Sequence, residues 1–281
     1  MDFIKMQTLG NDYILIDCLE FNKNDFSRLK DKVKDFSDRH FGIGANGVVF
    51  IMDSKVADVK LIMFNQDGSE SKTCTDAIRC VTKYLSIMHL INKDEIKIET
   101  KSGIKCTTVN NNTNQIIINM GNPNLSARKI PVITDKSIFI NDDITVLNQN
   151  FKTTCVSMGN PHAVSFIDFL DKIDFQKIGP YFEMHYRFPE RVNVEIAKVV
   201  NPNTVNVKIW SRGVGEVLSC GSGACASVVA GVLNHYFNKN EWIKVVSKGG
   251  IQKVKYLEND DVLLEGSADI IFEGKTYKLY K

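Results

Sequence analysis

Short apolar runs, most of them six to nine residues long, recur along the chain and are set off by Gly, Asn and Asp. In the first half they are YILID, GVVFIM, VKLIMF, EIKIET, GIKCTTV and QIIINM; in the second they are HAVSFI, VNVEIAKVV, TVNVKIW, IKVVSK and DVLLEG. Runs of this length and composition, bounded in this way, predict β-strands. Two stretches break the pattern with a helical period. After Cys74, the residues Ile78, Val81, Leu85 and Met88 share one face; after Cys220, so do Ala224, Val228, Val232 and Tyr236. Gly221, Ser222 and Gly223 are helix-start residues, so Cys220 is expected at a helix N-terminus, and Cys74 in the same setting. The ending ADIIFEGKTYKLYK reads as one more strand.

The two helix starts belong to a longer repeat. Each cysteine has a glutamate four residues upstream, Glu70 and Glu216, and a second cysteine just inside its helix, Cys80 and Cys225. Cys74 and Cys220 lie 146 positions apart, while TLGNDYILID matches SMGNPHAVSFID with Asn11 and Asn160 149 apart. Two motif pairs at nearly one offset point to a duplication, and a period of this length gives two lobes rather than a solenoid. The expected fold is α+β: two pseudo-symmetric lobes, each a curved, mostly antiparallel, barrel-like sheet around one helix. The expected boundaries are residues 1–120, with the C-terminal strand 268–281, and 121–267, with 121–131 as the linker.

Composition narrows the function. The 281 residues are 43% hydrophobic and 24% charged with a formal charge of +2, which is ordinary for a globular protein. No basic block suggests nucleic acid. No apolar run approaches the roughly 18 residues of a membrane helix, and the N-terminus lacks the apolar core of a signal peptide. Seven cysteines without a C-x-x-C pair suggest free thiols in the cytoplasm.

A helix N-terminus favours a thiolate and binds carboxylates through its free N–H groups. In paired lobes, equivalent points tend to face each other, which would bring Cys74 and Cys220 to opposite sides of a bound carbon. One thiol could remove an α-proton and the other return it on the opposite face, with no cofactor. Cys18, Cys106 and Cys155 lie in strand-like runs and read as small hydrophobes, and Cys80 and Cys225 as core. Spacings of five and four intervening residues do not suit a zinc knuckle, so no metal is expected.

The ordered motifs LGNDYILID, FGIGANGVVF, FNQDGSE, SMGNPHAVSF, FPERVNVEI and RGVGEVLSCGSGACA resemble the diaminopimelate epimerases over almost the whole chain. The resemblance implies cofactor-independent interconversion of LL- and meso-diaminopimelate by Cys74 and Cys220, usually in a homodimer. It implies that backbone N–H groups at Thr75, Asp76, Gly221 and Ser222 hold the reacting carboxylate. Asn65, Asn160, Asn193 and Arg212 would grip the distal end, Asn11 would line the same site, and His162 would assist the first cysteine.

Three sites depart from the family. Thr75-Asp76-Ala77 stands where Gly-Asn-Gly is typical; Asp76 brings a negative charge near a carboxylate site, unless it points away and caps the helix. Asn46 replaces a common aspartate. Ser211 replaces the glutamate that binds the distal ammonium and assists the second cysteine. Two further readings therefore stand beside epimerisation of diaminopimelate: racemisation of another amino acid, and a non-catalytic thiol or metal-binding protein.

Overall fold

The computed structural model describes residues 1–19, 23–71, 74–110 and 112–277. The chain divides into two compact units, Met1–Ile118 with Gly266–Lys281, and Asn119–Glu265.

In the first unit, strand Asp2–Thr8 pairs antiparallel with Asn11–Asp17 on one side and with Asp269–Lys275 on the other. Asn11–Asp17 then runs parallel to Gly47–Met52, which turns back antiparallel onto Val59–Asn65. Val59–Asn65 pairs antiparallel with the short strand Glu70–Ser71 and parallel with Glu95–Thr100. An antiparallel meander through Gly103–Asn110 and Gln115–Asn119 completes the path. The helix Thr75–Ile87 packs on this sheet, with Ala77, Ile78, Cys80, Val81 and Leu85 at or near zero exposure.

The second unit repeats the order of connections. Gln149–Ser157 pairs antiparallel with Pro161–Phe166, which runs parallel to Asn193–Asn201. That strand turns back onto Thr204–Ser211, which pairs antiparallel with Gly215–Val217 and parallel with Ile243–Ser247. A meander through Gly250–Tyr256 and Val262–Gly266 ends the repeat. The helix Gly221–Leu233 occupies the place of the first unit's helix and is enclosed as that one is: Asp76 to Leu85 are all buried in the first, Gly223 to Gly231 in the second. A helix apolar on every side belongs inside a curved sheet, and its Ala and Val contacts build a core with Val156, Val164, Val207 and Leu264.

Each unit is thus a curved, mostly antiparallel sheet around one helix, with two parallel pairings that the strand pattern alone did not reveal. Tyr236 falls outside the helix it was expected to extend: the helix stops at Leu233 because Asn234 leaves helical geometry as its C-cap, and the exposed Tyr236 ring packs at a tilt against Phe166. Met88 likewise caps the other helix and is exposed. A helix absent from the sequence reading, Phe175–Glu183, is capped by the Asp174 side chain, which accepts from the Lys177 N–H. Residues 121–131 form no helix or strand beyond isolated bridges from Asn124 to Ser157 and from Ser126 to Ile138.

Candidate active site

Cys74 and Cys220 occupy the same structural position in their units. Each is the N-cap of its unit's main helix in extended geometry, with φ/ψ of −142°/113° at Cys74 and −153°/121° at Cys220. An extended N-cap leaves the first N–H groups of the helix free to point past its side chain. Both thiols are half-buried, whereas Cys18, Cys80, Cys155 and Cys225 are buried.

The surroundings of Cys74 are crowded and acidic. Asn11 and Tyr13 alternate onto one face of strand Asn11–Asp17. The Tyr13 hydroxyl lies 3.0 Å from the Cys74 sulfur, and the Asn11 amide donates to the Asp76 carboxylate at 2.6 Å. The other Asp76 oxygen pairs with the fully buried Arg79 guanidinium. Asp76 therefore neither points away nor caps the helix: it is 5% exposed and engaged on both oxygens. Burial, then the Asp76 carboxylate, push the Cys74 thiol above its ordinary range; the Tyr13 hydroxyl and the N–H groups of Ala77 and Asp76 pull the other way. Burial, with the nearby Cys74 and Asp76, pushes Tyr13 well above its usual value, so its hydroxyl keeps its proton.

Cys220 meets two neutral groups of its own helix's first turn. Its sulfur accepts from the Gly223 N–H at 3.4 Å and lies 3.4 Å from the Ser222 hydroxyl. No acidic residue stands in the first turn of its helix. His162, expected to assist the first cysteine, is in the unit that holds Cys220. It is fully buried, with Nδ1 2.8 Å from Glu195 Oε1 and Nε2 3.0 Å from Asn160 Oδ1. The Asn160 oxygen accepts from Nε2, which leaves Nδ1 to meet the Glu195 carboxyl. Burial raises the Glu195 carboxyl above its usual value while the imidazole works against that shift. Gly223 is the close neighbour: a Cβ there would lie 2.6 Å from Glu195 Oε1 and 3.5 Å from Cys220 Cβ.

The residues expected at the distal end form a second group in this unit. The Asn193 amide donates to the Pro161 carbonyl at 2.8 Å and accepts from the Arg212 backbone N–H at 2.9 Å. The Arg212 guanidinium donates to the Glu190 carbonyl at 2.9 Å. Ser211 ends strand Thr204–Ser211 opposite Gly215, half-buried. Asn65, in the first unit, is exposed; its amide donates to the Ser69 hydroxyl at 2.9 Å and its N–H to the Ser69 carbonyl. Those are the bonds of a turn asparagine.

Three participants escaped the sequence reading: Tyr13, Arg79 and Glu195. Two had a signal. Tyr13 stands two residues after Asn11, as His162 does after Asn160, and Glu195 stands between Val194 and Ile196 on the same strand face as Asn193. A buried charge in such a run asks for a partner.

Comparison with known proteins agrees with this picture. A family model described as diaminopimelate epimerase matches residues 3–126 and 154–271. The chain belongs to the diaminopimelate epimerase family. A diaminopimelate epimerase of Acetivibrio thermocellus is 44% identical over 98% of both chains. One of Methanococcus maripaludis is 42% identical over 98% of this chain and 99% of its own. Among solved structures, a Bacillus anthracis phenazine biosynthesis protein of the PhzF family superposes with a TM-score of 0.69 at 16% identity, covering 98% of each chain. A hydroxyproline epimerase from Agrobacterium vitis superposes at 0.66 and 14% identity, covering 98% of this chain and 91% of that one. These two establish the shared fold.

Proposed function

We propose that this protein interconverts LL- and meso-diaminopimelate without a cofactor, with Cys74 and Cys220 as its two acid–base groups. The observation that carries the reading is the repeated one: two half-buried thiols, each the extended N-cap of the main helix in units of the same topology. The diaminopimelate epimerases that share 42–44% of its sequence support the choice of substrate.

In this mechanism one cysteine, as thiolate, takes the α-proton while the other, as thiol, delivers a proton to the opposite face. The stereocentre inverts and the two thiols exchange protonation states. Backbone N–H groups of Thr75, Asp76, Gly221 and Ser222 receive the α-carboxylate, and such preorganised donors stabilise developing charge by several kcal/mol. Asn11 lines the same site. His162, braced by Glu195 and Asn160, orients the groups around the reacting centre. Asn65, Asn160, Asn193, Ser211 and Arg212 form the distal subsite. The protein works as a homodimer in the cytoplasm; no helix among the described residues is long and apolar enough to cross a membrane.

Ser211 favours one alternative, racemisation of an amino acid that lacks a distal ammonium. A screen of α-hydrogen exchange in heavy water, over the diaminopimelate isomers and the common amino acids, separates the two. Exchange fastest on diaminopimelate is expected, and Cys74→Ala and Cys220→Ala are each expected to abolish inversion. Exchange confined to another amino acid would replace the substrate, and inversion surviving in either variant would remove the two-thiol mechanism.

A further inference from the structure

Glu183 is a buried carboxylate that the chemistry at the two cysteines does not use. It ends the helix Phe175–Glu183 and is 6% exposed. One of its oxygens accepts from the Trp210 indole N–H at 2.7 Å, the other from the Gly213 backbone N–H at 2.9 Å. The Arg191 guanidinium stands 3.5 Å from the oxygen that Gly213 meets. A carboxylate taken out of water needs donors, and these two N–H groups belong to the residues on either side of the pair Ser211-Arg212. The helix is fitted to the hairpin closely. Trp210 lies against Gly179, where a Cβ would come 2.3 Å from the indole, and its ring meets Phe175 edge-on.

Arg212 is held at three points as a result. Its own N–H donates to Asn193, its guanidinium to the Glu190 carbonyl, and the N–H of the next residue to Glu183. Glu190 is followed by Arg191, which has a φ of 60°, uncommon for a residue with a side chain, and which turns back towards Glu183. The contacts close a ring: Glu183 to Gly213, along the chain to Arg212, across to Glu190, along the chain to Arg191, and back to Glu183. The turn itself is closed by the Val214 N–H on the Ser211 carbonyl at 3.0 Å.

We propose that Glu183 is a positioning residue for substrate binding: by holding the residues before and after Ser211-Arg212, it presets Arg212 for the distal end of the substrate. Trp210 and Ser211 alternate across their strand, so Glu183 grips the face turned away from Ser211 and acts on Arg212 through the backbone, without touching the substrate itself. An arginine on a free turn would lose side-chain and loop freedom at every binding event, whereas one already fixed has less to lose. A contact made at the distal end, away from the α-carbon, adds to binding before and during proton transfer alike, so its loss falls on KM. The helix Phe175–Glu183 thereby gains a role in substrate selection from outside the site.

This role rests on the distal subsite of the epimerase reading, so its test has one arm with catalysis and one without. Glu183→Leu removes both acceptors at similar volume, and Glu183→Ala, which lets water reach the two N–H groups, is made beside it. In whichever keeps the circular dichroism spectrum of the unaltered protein, KM for diaminopimelate should rise about tenfold or more, with kcat within about twofold. Amide hydrogen–deuterium exchange, read by peptide mass spectrometry, should quicken in residues 211–215 and stay unchanged across the helix Gly221–Leu233. The rescue is Glu183→Gln/Trp210→Phe: with the indole N–H gone, the single amide oxygen is left to the Gly213 N–H, and KM should return towards that of the unaltered protein. An unchanged KM in a folded variant, a fall in kcat at constant KM, or a KM in Glu183→Gln/Trp210→Phe as high as in Glu183→Leu overturns the proposal. Loss of folding in both single variants overturns it too, by making Glu183 a residue of the fold alone. Failure of the epimerase reading would instead appear in the unaltered protein, as absent α-hydrogen exchange on diaminopimelate, with the quickened amide exchange at 211–215 still seen in the variants.

Discussion

Ser211 is the residue on which the substrate turns. It ends its strand opposite Gly215 and directly precedes Arg212, whose backbone N–H is held by Asn193, so its side chain belongs to a braced hairpin rather than a loose loop. If diaminopimelate is the substrate, its distal ammonium lacks a carboxylate at this position, and a charge-assisted bond there is worth about 1.5–3 kcal/mol, roughly ten- to hundredfold. Ser211→Glu is accordingly expected to raise kcat/KM for diaminopimelate at least about tenfold. An unchanged value would remove Ser211 from the distal end and with it the main reason to consider another amino acid. For a substrate without that ammonium, the same change buries an unpaired carboxylate and lowers turnover. The departure at 211 was plain in the sequence, since it is a loss of charge at a named position. The role of Asp76 was not, because whether a carboxylate caps, repels or is clamped depends on Asn11 and Arg79, and only folding brings those residues to it.

At the scale of elements, the repeat explains both what could be read and what could not. The strands were legible because each half alternates apolar runs with Gly, Asn and Asp, and the two helices because their cysteines mark the caps. The parallel pairings and the Phe175–Glu183 helix were not: parallel and antiparallel partners share one hydrophobic pattern, and Pro180 interrupts the helical signal. The repeat also shows where the halves diverge. Tyr13 pairs across its strand with Gly47 and His162 with Asn193, so the equivalent of Glu195 is Val49. In the first unit the polar ring therefore meets the cysteine; in the second it meets a buried glutamate. The same register explains Ala77 and Gly223, which stand at matching places in the two helices. At 77 a methyl group is fully enclosed, whereas at 223 it would press on Glu195 Oε1. Gly223→Ala should destabilise the protein by about 1–3 kcal/mol, read as a lower urea midpoint. By pushing Glu195 away from His162 it should also lower kcat more than it raises KM. A variant as stable and active as the parent would show that the first turn can yield, and that the Glu195–His162 contact is not held by this glycine.

For the whole molecule, the buried titratable groups predict a stability plateau with two edges. Asp12 works against the cost of its own burial through hydrogen bonds from Arg39 and Lys5, which leave its carboxyl below the usual range. A carboxyl with a depressed folded pKa contributes stability that is complete above its unfolded value, about 3.9, and is lost as pH falls through the folded one. Cys18 behaves in the opposite sense: burial, with Asp17 nearby, raises its thiol to about 12 from 9.0. Its contribution is complete below the unfolded value and drains away as pH rises from about 9 towards 12. Burial pushes Cys155 and Tyr84 up as well, and they steepen the same alkaline edge. Urea midpoints measured from pH 2.5 to 11 should be flat between about 5 and 8.5 and fall on both sides. Two variants assign the edges. Asp12→Asn should lower the plateau and flatten the acid side while leaving the alkaline side in place. Cys18→Ala should lower the plateau through the cavity it leaves and make the alkaline fall shallower. An acid edge as steep in Asp12→Asn as in the parent would place that loss on other carboxylates, and the Lys5–Asp12–Arg39 cluster would then hold Asn46 without anchoring the fold.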